Sequence, residues 1–127
     1  MIIRVDAGSP LPPYEQIRKQ VATMILTGVL SDGARLPAIR QLAKDLGLAG
    51  GTVGRAYREL ESSGLIVTRG RHGTYVTGPS EPVQRREAET LLADAAHAFA
   101  VSARQLGADP ERALDIARRA IGAVGRT

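Results

Sequence analysis

Residues 36–60, LPAIRQLAKDLGLAGGTVGRAYREL, decide the fold. Leu36, Ile39, Leu42, Ala43 and Leu46 recur at helical spacing and Pro37 suits a first turn, so the stretch opens as a short amphipathic helix. Gly47 can take the left-handed conformation that ends a helix, and Leu48 then dips back towards the core. Gly50-Gly51-Thr52 opens a second helix with Val53, Ala56, Tyr57 and Leu60 as its buried face and Thr52, Arg55, Arg58 and Glu59 on the other. Two helices joined by a short glycine-containing turn make a helix-turn-helix, whose second helix fits a DNA major groove. A plain helical hairpin in an all-α core has the same local pattern. The residues after Leu60 separate the two.

Gly64 is placed to end the second helix. Leu65-Ile66-Val67-Thr68-Arg69 and Thr74-Tyr75-Val76-Thr77 are β-rich, and Gly70-Arg71-His72-Gly73 between them makes a hairpin loop. A basic hairpin directly after a helix-turn-helix is the layout of a winged helix. Its loop, the wing, lies along a phosphate backbone or enters a minor groove.

Upstream, Tyr14, Ile17, Val21, Met24 and Ile25 predict an amphipathic helix over residues 14–27, closed by Gly28. Pro10, Pro12 and Pro13 keep the chain extended before it, and residues 2–5 alternate weakly enough to suggest a short edge strand. Ser31-Asp32-Gly33 is a turn signal. Downstream, Pro79, Ser80 and Pro82 read as a linker that neither strand nor helix continues. A long helix is expected over residues 83–106, with a coiled-coil-like stripe of Ala88, Leu92, Ala95, Phe99, Ser102 and Leu106. Asp109-Pro110-Glu111 then supplies a cap, a first-turn proline and an acid for a last helix with Leu114, Ala117, Ile121 and Val124 on one face. Two such helices cannot bury both stripes within one chain, so residues 83–124 are expected to pack on a second copy; the other solution is a hairpin folded back on the winged part.

The fold class is therefore mainly α with a small β-hairpin: a winged helix-turn-helix domain over residues 1–78 and a short helical dimerisation lobe over 79–127. Charge respects that division. Residues 1–78 hold ten Lys/Arg against six Asp/Glu, and residues 79–127 hold seven of each, so the net charge of +4 lies wholly in the first part. A basic domain joined to a neutral one points to a polyanionic partner for the first, although +4 is also ordinary for an enzyme. The chain has no cysteine, which excludes disulfides and thiolate metal sites. No apolar run approaches the roughly 18 residues of a membrane span, and no signal-peptide core is present, so a soluble cytoplasmic protein without membrane partners is expected.

Four blocks of the chain resemble the DNA-binding domain of the GntR family of bacterial transcription regulators. They are Pro12-x-Tyr14-x-Gln16-Ile17; Gly33-x-x-Leu36-Pro37-x-x-Arg40-x-Leu42-Ala43-x-x-Leu46-Gly47; Thr52-Val53-x-x-Ala56-Tyr57-x-x-Leu60-Glu61-x-x-Gly64-Leu65; and Gly73-Thr74-Tyr75-Val76. The short tail is similar to that of the YtrA-type subfamily, whose C-terminal part is a small two-helix dimerisation lobe. The resemblance implies a homodimeric, sequence-specific regulator of double-stranded DNA, a repressor, and the two-fold symmetry of such a dimer implies an inverted-repeat operator. It implies no cofactor, and nothing in the sequence names an operator or a small-molecule effector.

The same resemblance, with the chemistry of the side chains, assigns the residues expected at the DNA. Arg40, on the exposed side of the first helix of the pair, matches the family arginine that contacts DNA. Thr52 lies in the first turn of the recognition helix, where a hydroxyl and free backbone N–H groups bind phosphate; it equally suits an N-terminal cap. Arg55 and Arg58 stand three apart on one side and can grip guanine or phosphate, although Arg58 can also pair with Glu61. Arg71, His72 and Gly73 form the wing tip, where the family places basic and small residues. Where many relatives have serine or threonine and then arginine, this chain has Ala49, Gly50, Gly51 and Gly54, which removes side chains that read bases. His72 and His97 make no metal set, and His97 is expected buried or half-buried in the long helix. An enzyme is disfavoured, with no paired carboxylate motif and no phosphate loop. Tyr14, Tyr57, Tyr75 and Phe99 fall mostly at core positions and offer no stacking platform for single strands. The remaining alternative is a winged-helix adaptor that binds protein and never reads DNA.

Overall fold

A computed structural model describes residues 1–125; Arg126 and Thr127, the last two residues of the expected lobe, lie outside the described residues. Helix α1 (Pro13–Leu26) starts on Pro13, whose fixed φ suits a first turn, and sends Ile17, Val21, Ala22 and Ile25 inward. The segment before it is not a strand. Two glutamines of α1 bond parts of its backbone instead. Gln20 accepts from the Arg4 N–H at 3.0 Å and donates to the Arg4 carbonyl at 2.7 Å. Gln16 accepts from the Asp6 N–H at 2.8 Å and donates to the carbonyls of Asp6 and Leu11 at 2.9 and 2.8 Å. Side-chain amides thus replace a sheet partner, and Ile3 is buried without pairing to another strand.

Strand β1 (Arg35–Leu36) precedes α2 (Ile39–Leu46), and α3 (Gly50–Ser62) comes next. Gly47 ends α2 at φ 67°, where its N–H reaches the last turn and a side chain would be strained. After α3 come β2 (Ile66–Thr68), a 3₁₀ turn at Gly70–His72 and β3 (Thr74–Val76). The hairpin is antiparallel, with Ile66, Val67 and Thr68 opposite Val76, Tyr75 and Thr74. β1 adds to its other edge, Arg35 opposite Tyr75 and Leu36 opposite Thr74, giving a three-stranded sheet in the order β1-β3-β2. The core lies between α1, α3 and the inner face of that sheet. Ile17, Val21, Val53, Leu60, Leu65 and Ile66 are fully buried there, each worth about 1.5–3 kcal/mol relative to exposure.

Helix α4 spans Glu81–Gln105 and α5 spans Pro110–Val124. Pro82, read from the sequence as a helix breaker, is the second residue of α4. The first turn of a helix leaves its N–H groups unpaired, so a missing donor costs nothing there. The chain divides into two compact units, Met1–Leu91 and Leu92–Thr127, and the division falls within α4. In the first unit, Val83 and Leu91 of α4 pack on the core cluster, and a Cβ on Gly64 (φ 85°) would lie 3.7 Å from both Val83 methyls.

In the second unit α5 begins as expected: the Asp109 carboxylate accepts from the Arg112 N–H at 2.9 Å, and Pro110 is the first helical residue. No described residue from 92 to 125 is buried. Leu92, Leu106, Ile121 and Val124 are all more than two-thirds exposed. His97 is exposed as well, contrary to the sequence-based expectation, because two helices alone provide nothing to cover it.

Candidate nucleic-acid interface

The helix pair is locked by one side chain. Tyr57 of α3 is buried, and its hydroxyl donates to the Pro37 carbonyl at 2.7 Å. Burial pushes the phenol up to about 12, so it stays protonated and keeps donating. The bond fixes the start of α2 against the middle of α3, and with it the angle between the two helices.

Arg40 is exposed on α2, and Lys44 stands one helical turn further along. Both line a hollow of about 540 Å³ with Ile39, Ala43, Leu48 and Gly50, the first residue of α3. Ile39 was expected in the core; it is 40 % exposed and borders this hollow. The N-cap of α3 is Ala49, with no side-chain cap among the described residues. Thr52 is therefore not the cap; it is the third helical residue, half-buried, and its N–H bonds the Ala49 carbonyl at 3.1 Å. Open space surrounds Gly50 and Gly51. Two cations and an uncapped helix start thus share one concavity, an arrangement suited to an anion.

The two arginines of α3 diverge. Arg55 lies 3.7 Å from the centroid of the Tyr14 ring on α1, and its Nε meets Glu59 at 3.2 Å. Glu59 is also 3.8 Å from Arg18 of α1. Arg58 turns the other way. Its Nη1 lies 3.4 Å from the position of a Cβ on Gly54, which is buried beside Ile39 of α2. Gly54 therefore takes part in the α2–α3 contact. Glu61 does not take Arg58 as a partner; it accepts from the Thr68 N–H at 3.2 Å and lies 3.3 Å from the Thr68 hydroxyl.

At the wing, Arg71 and His72 are exposed in the 3₁₀ turn. Gly73 takes φ 108°, a conformation L side chains rarely adopt, and a Cβ there would meet Arg35 Nε at 2.9 Å. The Tyr75 hydroxyl donates to the His72 carbonyl at 2.6 Å and the Arg69 N–H to the Gly73 carbonyl at 2.8 Å, which orders the loop. Sequence reasoning missed Lys44 and Arg35. Lys44 was visible as the i+4 neighbour of Arg40. Arg35 was not, because nothing local marks a two-residue strand as a neighbour of the wing. Among the described residues no group of three or more histidine, cysteine or acidic side chains is placed to hold a metal, and no helix is long and apolar enough to cross a membrane.

Three helices, two of them a glycine-broken pair, and a basic three-stranded wing define a winged helix-turn-helix protein with a two-helix extension. Comparison with known proteins agrees. The family model for bacterial regulatory proteins of the gntR family matches residues 4–76. The transcriptional regulator Rv1152 of Mycobacterium tuberculosis is 48% identical over 75 residues, 59% of this chain and 62% of that protein. The transcriptional repressor YtrA of Bacillus subtilis is 31% identical over 111 residues, 87% of this chain and 85% of that one. The solved structure of YtrA from Sulfolobus acidocaldarius, a GntR-family transcription factor, superposes with a TM-score of 0.60 at 37% identity, covering 76% of this chain and 99% of that one. The chain belongs to the gntR family of bacterial regulatory proteins and is a short transcriptional regulator of the YtrA type, with a DNA-binding domain. The relatives it matches are named as transcriptional regulators, not enzymes.

Proposed function

We propose that the protein is a cytoplasmic homodimeric repressor that binds double-stranded DNA sequence-specifically at an inverted repeat. Residues 1–78 carry the DNA contacts and the dimer contact lies within residues 83–124. The observation behind this reading is the contrast between the two units. The first has a closed core and exposed cations, Arg40, Lys44, Arg58 and Arg71, without acidic partners among the described residues. The second has apolar helix faces and no buried residue among those described. Apolar stripes of this kind are covered in a two-fold dimer, where each copy supplies the other's core. That the Bacillus subtilis relative is named a repressor supports the sign of regulation.

In this reading the start of α3 enters the major groove. Arg40 and Lys44 hold phosphate at the hollow, Thr52 binds phosphate from the first turn of α3, and Arg58 reaches the bases or backbone from the α2 side. Arg55 is held between Tyr14 and Glu59 and offers a pre-oriented guanidinium edge. Arg71, His72 and Gly73 bring the wing against the neighbouring groove. A protein-binding adaptor leaves Arg40, Lys44, Arg58 and Arg71 without a purpose, since none has an acidic partner among the described residues. A gel shift tests the proposal, using duplex from the gene's own upstream region and a shuffled duplex of equal length at one fixed salt concentration. Retardation of the first at far lower protein concentration is expected. Equal binding removes sequence specificity, and binding to neither removes the DNA reading.

A further inference from the structure

The outer face of the small sheet has no part in the reading above. Arg35 and Val67 both stand opposite Tyr75, one from each neighbouring strand, so the three form a row across the sheet. Leu36, Ile66, Thr74 and Val76 are buried on the inner face. Alternation along the strands puts Arg35, Val67 and Tyr75 on the outer one. Arg69 lies two residues beyond Val67, and its guanidinium is 5.6 Å from the centroid of the Tyr75 ring. Arg35 reaches along the sheet to the wing, where only the missing side chain of Gly73 leaves room for its guanidinium. Both arginines are exposed, and neither has an acidic partner among the described residues. Residues 65–77 contain no Asp or Glu at all.

We propose that this face is a phosphate-binding surface beside the wing, with Arg35 and Arg69 on either side of Tyr75 holding the backbone of double-stranded DNA. The proposal rests on the DNA reading above and extends it from the wing tip to the sheet. Guanidinium suits phosphate well. It is planar, always charged and more weakly hydrated than ammonium, and two parallel N–H bonds match the phosphate oxygens. Tyr75 pre-orders the face. Its ring carries Arg69 and its hydroxyl holds the His72 carbonyl, so the sheet and the 3₁₀ turn present their cations together. Phosphate contacts of this kind add affinity and fix register without reading sequence.

The test measures affinity across a salt series for the intact wild-type chain and for Arg35→Gln, Arg69→Gln and Arg35→Lys. The probes are the upstream duplex and a random duplex of equal length. On both, each glutamine variant should flatten the log K against log salt slope by about 0.9, the signature of one lost phosphate contact. Arg35→Lys should keep the wild-type slope, and melting temperatures should not move. Wild-type slopes in both glutamine variants, with the wild type still binding, place the sheet face off the DNA and leave the DNA reading standing. Weaker binding at an unchanged slope assigns the arginines a purely structural role and equally overturns the proposal. Wild-type protein that binds neither duplex overturns the DNA reading and this proposal with it.

Discussion

The Tyr57 hydroxyl is bonded to the Pro37 carbonyl across the two helices that define the DNA-binding motif. Phenylalanine at 57 keeps the ring and removes the donor, leaving a shielded carbonyl without its partner. Tyr57→Phe should cost about 1–2 kcal/mol of unfolding free energy. Urea denaturation should give a lower midpoint with an unchanged m-value.

Burial of the same side chain sets a pH window. The folded phenol titrates at about 12, above its ordinary value of 10.0. A folded-state value raised above the unfolded one means a contribution fully present below pH 10 and lost as pH climbs towards 12. Wild-type stability should therefore fall across that window relative to Tyr57→Phe, by about 3 kcal/mol at most. Parallel curves for the two proteins would contradict a buried, neutral, donating Tyr57.

Arg40 and Lys44 border the hollow at the start of α3 and are exposed. Replacing either with alanine should leave the melting temperature in place. Each change should weaken duplex binding and flatten the salt slope by about 0.9. Unchanged binding in both would move the DNA face away from α2.

Gly73→Val meets two obstacles at once, the positive φ and the Arg35 guanidinium. Strain of that kind costs on the order of 1–3 kcal/mol. A lowered melting temperature and weakened duplex binding are expected. Wild-type values for both would mean that the wing adopts another conformation in solution.

Gly51 offers the opposite case, since a Cβ there meets open space inside a helix. Gly51→Ala should stabilise the fold by about 0.4–1 kcal/mol, mainly by restricting the unfolded chain. If the start of α3 approaches DNA closely, the same methyl should weaken operator binding. Higher stability with undiminished affinity would place that backbone clear of the duplex.

What the sequence revealed was local. Leu36 to Leu60 carries its own periodicity and its own glycine stop, so the helix pair could be read without knowing what it packs on. The hairpin was equally legible from two β-rich runs around Gly70 and Gly73. β1 was not, because two residues have no period and its pairing with β3 bridges nearly forty positions of chain. Residues 2–5 alternate like a strand, yet Gln20 bonds the backbone of Arg4 and Gln16 that of Asp6 just beyond, which no propensity encodes. Pro82 misled because a proline is neutral or disruptive according to where the helix begins. At the candidate interface, Arg55 and Arg58 share a side of α3 on a helical wheel, but Tyr14 with Glu59 draws one away while the space at Gly54 receives the other.

Sedimentation equilibrium of the intact protein at micromolar concentration tests whether the helical unit joins two copies of the chain. Twice the mass of the chain is expected for the wild type. The mass of a single chain is expected for Leu92→Glu/Phe99→Glu, which puts charge into the apolar faces of α4. A wild-type protein that sediments as a single chain would rule out the dimer.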